Sequence, residues 1–329
     1  MFAALHAASG ACNVQISGGE PTEREDLPEI VSMAASFGFG LVQCNTNGLR
    51  LAHEQDYAAQ LRRAGLDSVY LQCDAPADAT GDSVYAALRG RPLAAAKQAA
   101  IDACGRAGLG VILVATVAAG VNDHCLGDLL RYAVAQGPHV RGLHLQPVAS
   151  FGRHPWEQAD APRLTLPDLM LLLEEQTGGR IRASHFHAPS CEHPLCSFSA
   201  VYAREGGQDG YGLSAEPIGK AQCCPPAPSG LQKNTPNAEG ARISRAFTAA
   251  HWKAPDTSAA FAAFLGNSGA DRRFTLSAMA FQDAATLDLA RLRSCCIHVV
   301  TRQGRLVPFC AYNLTSQGGV ALYRGRNGN

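Results

Sequence analysis

Residues 13–31 read NVQISGGEPTEREDLPEIV, and this stretch decides the fold. Asn13–Ser17 has the short apolar character of a strand. Gly18 and Gly19 follow at once, and two residues without Cβ let a ligand come close to the backbone. Glu20 stands beside them, where a carboxylate can hold an ammonium group or simply sit in solvent at a βα turn. Thr22-Glu23-Arg24-Glu25 has the form of a capping box, and Asp26 with Glu29 repeats the signal one turn later. A helix is therefore predicted over Leu27–Phe37.

The same alternation continues outward. Gly40–Cys44, Ser68–Cys73, Val111–Thr116 and Gly142–Gln146 read as further strands. Leu51–Ala64, Val84–Ala107 and Asp128–Ala135 read as the helices between them, and Phe2–Ser9 as the tail of a preceding one. Strand–helix alternation at this spacing means βαβ units and a parallel sheet, doubly wound or barrel-like. Active sites on such sheets form at the carboxyl ends of strands. There the sequence places Asn45-Thr46-Asn47-Gly48, Leu71-Gln72-Cys73-Asp74, Thr116–Asn122 and Leu145-Gln146-Pro147-Val148. Asn45 and Asn47 could be turn formers, and Gln72 or Asp74 loop hydrogen bonders. After about Gly179 the pattern breaks, and residues 206–240 read as a flexible insertion. Phe274–Phe281 predicts a strand, Ala284–Leu292 a helix, and Cys295–Thr301 with Leu306–Cys310 a hairpin turning at Gly304.

Composition narrows the classes. Of 329 residues, 47% are hydrophobic and 17% charged, which supports a sizeable core rather than disorder. A formal net charge of zero argues against a nucleic-acid footprint. No apolar run reaches the roughly 18 residues needed to span a bilayer, and residues 1–15 lack a secretory pattern, so a cytoplasmic location is expected. Twelve cysteines in such a compartment do not suggest disulfides. Cys12, Cys44, Cys73, Cys104 and Cys125 lie among apolar residues, as packing thiols do. Cys191, Cys196, Cys223, Cys224, Cys295, Cys296 and Cys310 lie in polar, turn-rich contexts that suit thiolate ligation of a soft metal. His185, His187 and His193 leave a mixed Cys/His zinc site open, with loop hydrogen bonding as the plainer role. Arg153 and His154 suit either a ligand contact or a surface loop.

SGGEPTEREDLPEIV, with the strand ends named above, resembles the radical S-adenosylmethionine (radical SAM) enzymes over about residues 1–180. The resemblance implies a partial (β/α)6 TIM-like barrel over 1–180 and a smaller cysteine-rich C-terminal domain over 181–329. It implies that Gly18, Gly19, Glu20 and Pro21 grip the methionine moiety of S-adenosylmethionine, while Asn45, Asn47 and Gln146 orient the rest. HAPSCEHPLCSF, FTLSAMAFQDAATLDLARLRSCCIHVV and GRLVPFCAYN are similar to segments of tetraether lipid synthase and its bacterial relatives. That narrower likeness implies an auxiliary 4Fe–4S cluster on Cys191, Cys196, Cys296 and Cys310, with Cys223, Cys224 and Cys295 as further possible ligands; a structural zinc site remains the rival.

Radical SAM enzymes carry CxxxCxxC, the ligands of a catalytic 4Fe–4S cluster, a few dozen residues before the Gly-Gly-Glu-Pro turn. Here only Cys12 precedes Gly18. The expectation is that the first strand and its cluster loop are missing, and that the chain as written is an inactive fragment. For the family activity the resemblance implies cleavage of S-adenosylmethionine, hydrogen abstraction from a lipid or small-molecule substrate, and a reductant such as flavodoxin or ferredoxin. Two other readings stand beside it. One is a non-catalytic iron–sulfur or zinc scaffold or electron carrier; the other is an ordinary barrel enzyme using Glu20 or Asp74 as acid or base.

Overall fold

Five strands in chain order build one parallel sheet: β1 (Asn13–Ile16), β2 (Leu41–Thr46), β3 (Ser68–Gln72), β4 (Gly110–Val117) and β5 (Val140–Pro147). A computed structural model describes residues 1–151, 162–188, 192–205, 211–215, 238–253, 272–316 and 318–324. The sheet runs on across residue 180. β8 (Arg273–Met279) pairs parallel to β5, β6 (Ser197–Arg204) pairs antiparallel to β8, and β7 (Leu213–Ala215) closes that edge. The order is β1-β2-β3-β4-β5-β8-β6-β7, so six neighbouring strands pair in parallel, β6 alone runs against the others, and the sheet stays open. This is the α/β, partial barrel-like architecture expected from the sequence.

The two faces of the sheet differ because side chains alternate along a strand. Val14, Val42, Val69, Val111, Leu143 and Leu276 point to one side, where they pack on the connecting helices. Those helices include α2 (Leu27–Ser36), α6 (Ala94–Ala107), α7 (Leu126–Ala135) and α8 (Leu166–Gln176). Each buried Leu or Val contributes on the order of 1.5–3 kcal/mol there. The other face is largely polar. Gln15 donates to Gln43 at 2.8 Å and Gln43 to Ser68 at 2.9 Å, a ladder across three neighbouring strands. Further along, His144 Nδ1 meets Ser277 Oγ at 2.8 Å, and burial holds that imidazole down at about 4.

α9 (Ala238–Trp252) crosses the amino ends of the strands. Asn13 Nδ2 donates to Arg245 O at 3.2 Å, and Arg141 Nε donates to His251 O at 2.8 Å. Lys253 pairs with Asp67 at 3.2 Å, and Trp252 lies 5.6 Å from the Tyr70 ring on the polar face.

Several local expectations are corrected. The helix expected over Leu51–Ala64 is two, α3 (Leu49–His53) and α4 (Tyr57–Arg63), because Asp56 takes a left-handed φ of 65° between them. The helix expected over Val84–Ala107 is α5 (Ala79–Arg89) and α6, split by Gly90 at φ +75° and by Pro92, which ends helices. The expected capping box does not form. Thr22 turns toward Glu20 within a short 3-10 turn over Pro21–Glu23, and Asp26 pairs with Arg24 at 2.6 Å. The helix expected over Ala284–Leu292 shortens to α10 (Leu289–Arg293), capped by Asp288. Cys295–Thr301 and Leu306–Cys310 do form a hairpin, β9 (His298–Val300) with β10 (Leu306–Pro308), turning at Gly304, and α11 (Phe309–Asn313) follows. The expected flexible insertion at 206–240 lies mainly outside the described residues, apart from 211–215 and the start of α9.

Candidate active site

Six parallel strands send their carboxyl ends to one rim. At the end of β1, nothing lies within 4 Å of a Cβ built on Gly18 or Gly19, so both backbones face open space. Pro21, buried, starts the 3-10 turn where its missing N–H costs nothing. Glu20 caps that turn and reaches across to β2. Its Oε1 accepts from Thr22 N at 3.0 Å, Thr22 Oγ1 at 2.7 Å and Thr46 Oγ1 at 2.7 Å, and its Oε2 accepts from Asn47 N at 2.7 Å. An ionised carboxylate accepts about four such bonds. Three of the four bonds fall on Oε1 and one on Oε2.

The tip of β2 is shaped around this carboxylate. Asn47 Oδ1 accepts from Leu49 N at 2.8 Å and starts α3. Gly48 sits at φ +79°, and a Cβ there would come within 2.4 Å of Leu71 Cδ1, so any other residue would be strained and would push Leu71 aside. Asn45 is half-buried one residue before Thr46, and Gln146 is half-buried opposite Thr116 on the neighbouring strand. By strand alternation both stand on the polar face of the sheet.

A buried ionic network continues the rim. Asp74, with no exposed side-chain surface, takes Arg89 Nε at 2.8 Å and Nη2 at 3.0 Å. It also accepts from Thr116 N at 2.9 Å and from Gln72. Arg89 Nη2 reaches Thr116 Oγ1 at 2.9 Å, and Asn122 Nδ2 ties Asp74 O to Thr116 O. Gln72 in turn accepts from Lys97 Nζ at 3.0 Å. Lys97 and Arg89 were not among the residues the sequence singled out. The signal for Lys97 was present: it falls in phase with Ala94, Ala100, Ile101 and Cys104 on the apolar stripe of α6, where all are buried.

At the β8 end of the rim, Asp283 is buried and binds Arg163, Ser150 N at 2.7 Å and Thr286 Oγ1 at 3.1 Å. Burial works to raise its carboxyl, but these partners outweigh burial and hold it below the usual range.

The late cysteines lie close by. β6 runs antiparallel to β8 with Ser197 opposite Met279, so Cys196 also stands at the carboxyl rim. Cys196 Sγ accepts from Arg291 Nε at 3.3 Å, and Cys310 Sγ accepts from Gln282 N at 3.3 Å. Burial pushes the Cys310 thiol up to about 11, and charge on Cys295 and Cys196 raises it further. Burial likewise raises Cys295, with Cys196 and Glu192 adding to it. Cys196, Cys295 and Cys310 therefore share one electrostatic neighbourhood. Cys296 is exposed and meets Glu192 instead. Cys191, Cys223, Cys224, Arg153 and His154 lie outside the described residues. Among the described residues, no group of three His, Cys, Asp or Glu side chains converges closely enough to hold an ion. His185 and His193 take local hydrogen bonds, to Tyr202 at 3.3 Å and from Leu195 N at 3.2 Å. Cys44, Cys73 and Cys104 are fully buried, as packing thiols should be.

Comparison with known proteins gives these features a context. The family model of the radical SAM superfamily matches residues 2–133. A 7,8-dihydro-6-hydroxymethylpterin dimethyltransferase of Methanocaldococcus jannaschii is 31% identical over 91% of this chain and 66% of its own length. A probable GTP 3′,8-cyclase of Methanothermobacter marburgensis is 32% identical over 41% of this chain and 43% of its own. The GTP 3′,8-cyclase of Corynebacterium glutamicum is 30% identical over 51% of this chain and 43% of its own. The chain thus spans between about two fifths and two thirds of the length of these relatives.

Proposed function

The chain belongs to the radical SAM superfamily, and from that premise we propose that its carboxyl rim binds S-adenosylmethionine, with Oε2 of Glu20 receiving the ammonium group. The observation that carries this reading is the Glu20 clamp. A carboxylate is held by donors from two strand tips, beside two glycines whose backbones face open space. An ammonium complements that carboxylate in charge. Bound beside a 4Fe–4S cluster, the cofactor supplies a carbon radical that abstracts hydrogen. No residue of this chain is assigned to that cluster.

The chain's own residues act by holding and excluding. Thr22, Thr46 and Asn47 orient the Glu20 carboxylate before any ligand arrives, so little ordering entropy remains to be lost on binding. Asn45 and Gln146, spread over the polar face, are placed to meet the remainder of the nucleotide. The Asp74–Arg89 pair braces the rim between them.

Cys196 and Cys310, with Cys191 and one of the adjacent pair Cys295 and Cys296, are assigned to an auxiliary 4Fe–4S cluster. The backbone and guanidinium N–H groups aimed at the sulfurs of Cys310 and Cys196 suit thiolates, and of the adjacent pair Cys295 is the less exposed. The substrate is read as a small, nitrogen-rich heterocycle rather than a lipid. Support comes from the pterin enzyme, whose similarity extends over 91% of this chain. A flavodoxin or ferredoxin is read as the reductant, and the cytoplasm as the location. No helix among the described residues is long and apolar enough to cross a membrane.

The test is Glu20→Gln, studied by calorimetric titration with S-adenosylmethionine under anaerobic conditions. The amide removes the negative charge and keeps the shape. Affinity is expected to fall by about tenfold or more, the weight of one charged hydrogen bond, with bound iron unchanged. Equal affinity in the variant would remove Glu20 from the role.

A further inference from the structure

Lys97 has no solvent-exposed surface, although it carries an ammonium group inside an apolar helix face. Burying such a charge is costly, and an apolar residue would continue the stripe of Ala94, Ala100 and Ile101 without that cost. We infer that Lys97 is a positioning residue for the cofactor: its ammonium fastens the tips of β2 and β3 and so presents the Asn47 N–H to Glu20. The inference rests on the reading of the Glu20 clamp as the cofactor site.

The geometry is specific. Lys97 Nζ donates to Asn47 O at 2.7 Å and to Gln72 Oε1 at 3.0 Å, bridging the ends of two strands from beneath. Asn47 is the residue whose N–H reaches Glu20 Oε2 at 2.7 Å. Its carbonyl and amide are therefore gripped from opposite sides, Lys97 below and Glu20 above. Gly48, which follows, takes the left-handed conformation that this tight tip demands. The remaining side of Lys97 lies over the Tyr85 ring, 5.8 Å from its centre. An apolar side chain would fill the volume but leave Asn47 O and Gln72 Oε1 without this donor, freeing the tip to relax.

The charged and titratable groups that face Lys97 are Glu20 at the β1 tip, Cys73 and Asp74 at the β3 tip, and Tyr85 and Arg89 on α5. Burial brings the lysine down to about 8 against the opposing pull of Cys73 and Asp74. Burial pushes the Cys73 thiol up to about 11, and the Tyr85 phenol goes well above its usual range. Between pH 7 and 9.5 the lysine thus loses its proton ahead of Cys73 and Tyr85. Below about pH 8 the ammonium grips the tip with charge-assisted bonds; above it the neutral amine keeps two N–H groups, but its bonds to Asn47 O and Gln72 Oε1 lose that assistance.

The experiment titrates the purified 329-residue chain with S-adenosylhomocysteine, which keeps the ammonium and carboxylate of the cofactor. Wild type, Lys97→Met and Lys97→Gln are compared by calorimetry from pH 7 to 9.5, with circular dichroism confirming that each is folded. Both variants should bind about tenfold more weakly at pH 7. Wild-type affinity should decline above pH 8 more steeply than that of the variants, whose own decline reports the α-amino group of the ligand. If one variant fails to fold, the other serves as the reference. Equal binding by a folded variant, or parallel pH profiles of wild type and variant, overturns the inference. If wild type does not bind the nucleotide at all, the cofactor-site reading itself fails, and this inference with it.

Discussion

The Glu20 end and the thiol end of the rim are built by opposite means. Around Glu20, four hydrogen bonds from Thr22, Thr46 and Asn47 close within 47 residues of chain, and adjacent strands bring the partners together. Around Cys196 and Cys310, each sulfur receives a single N–H donor. The contributing segments are the start of β6, α10 and the far side of a hairpin. The first site is shaped by sheet register and is rigid in its own right. The second is an assembly of segments distant in sequence, held near one another by burial and by the β6–β8 pairing. Its geometry therefore depends on the fold as a whole.

If that contrast is right, damage to the braces of the first site should show as lost stability. Asp74→Asn is expected to have the largest effect. It leaves Arg89 facing a neutral amide in a buried network, and because the Arg89 side chain is 32% exposed the cost is put at about 2–4 kcal/mol, below that of a wholly buried pair. Urea denaturation measures it, and a loss under about 0.5 kcal/mol would mean that the rim is not braced there.

Gly48→Ala comes next. The added methyl meets Leu71 Cδ1, a flexible side-chain end, at a left-handed φ, so about 1–3 kcal/mol should be lost in the same assay. A neutral result would show that the β2 tip can relax and would blur the distinction between the two ends.

The thiol end should barely register on stability. Cys296→Ser is exposed and should change it by less than about 0.5 kcal/mol. The pair of variants is informative in another way: after anaerobic reconstitution with iron and sulfide, Cys295→Ser should lose iron and Cys296→Ser should keep it. The reverse pattern would return Cys296 to the ligand set and give the thiol end a different centre.

Much of the first region was legible in the sequence. Asn13–Ser17 predicts a strand, and the chain carries one at Asn13–Ile16; the glycine pair and Glu20 fall at its carboxyl end. What was not legible has physical causes. Thr22 looks like a helix cap because its spacing to Glu25 fits, yet the Glu20 carboxylate competes for its hydroxyl and wins. β6 was missed although Phe198, Ala200 and Tyr202 alternate as buried positions, because the segment directly follows a stretch rich in His, Pro and Cys. Lys97 and Arg89 were missed because a charged residue on a helix reads as solvated unless its phase with the apolar stripe is checked. The choice between Cys295 and Cys296 could not be read at all. Adjacent cysteines share one sequence context, so spacing does not separate them.

The reversal of β6 against β8 sets a length scale for the whole molecule. Without that antiparallel step, residue 196 would lie at the amino ends of the strands, a full sheet height away from residue 20. With it, the sulfur-bearing and carboxylate-bearing ends share an edge, six strand intervals apart. That is ~29 Å measured along the sheet, and less straight across if the sheet curls. Whatever rests at the glycine end therefore shares one rim of the sheet with the thiols.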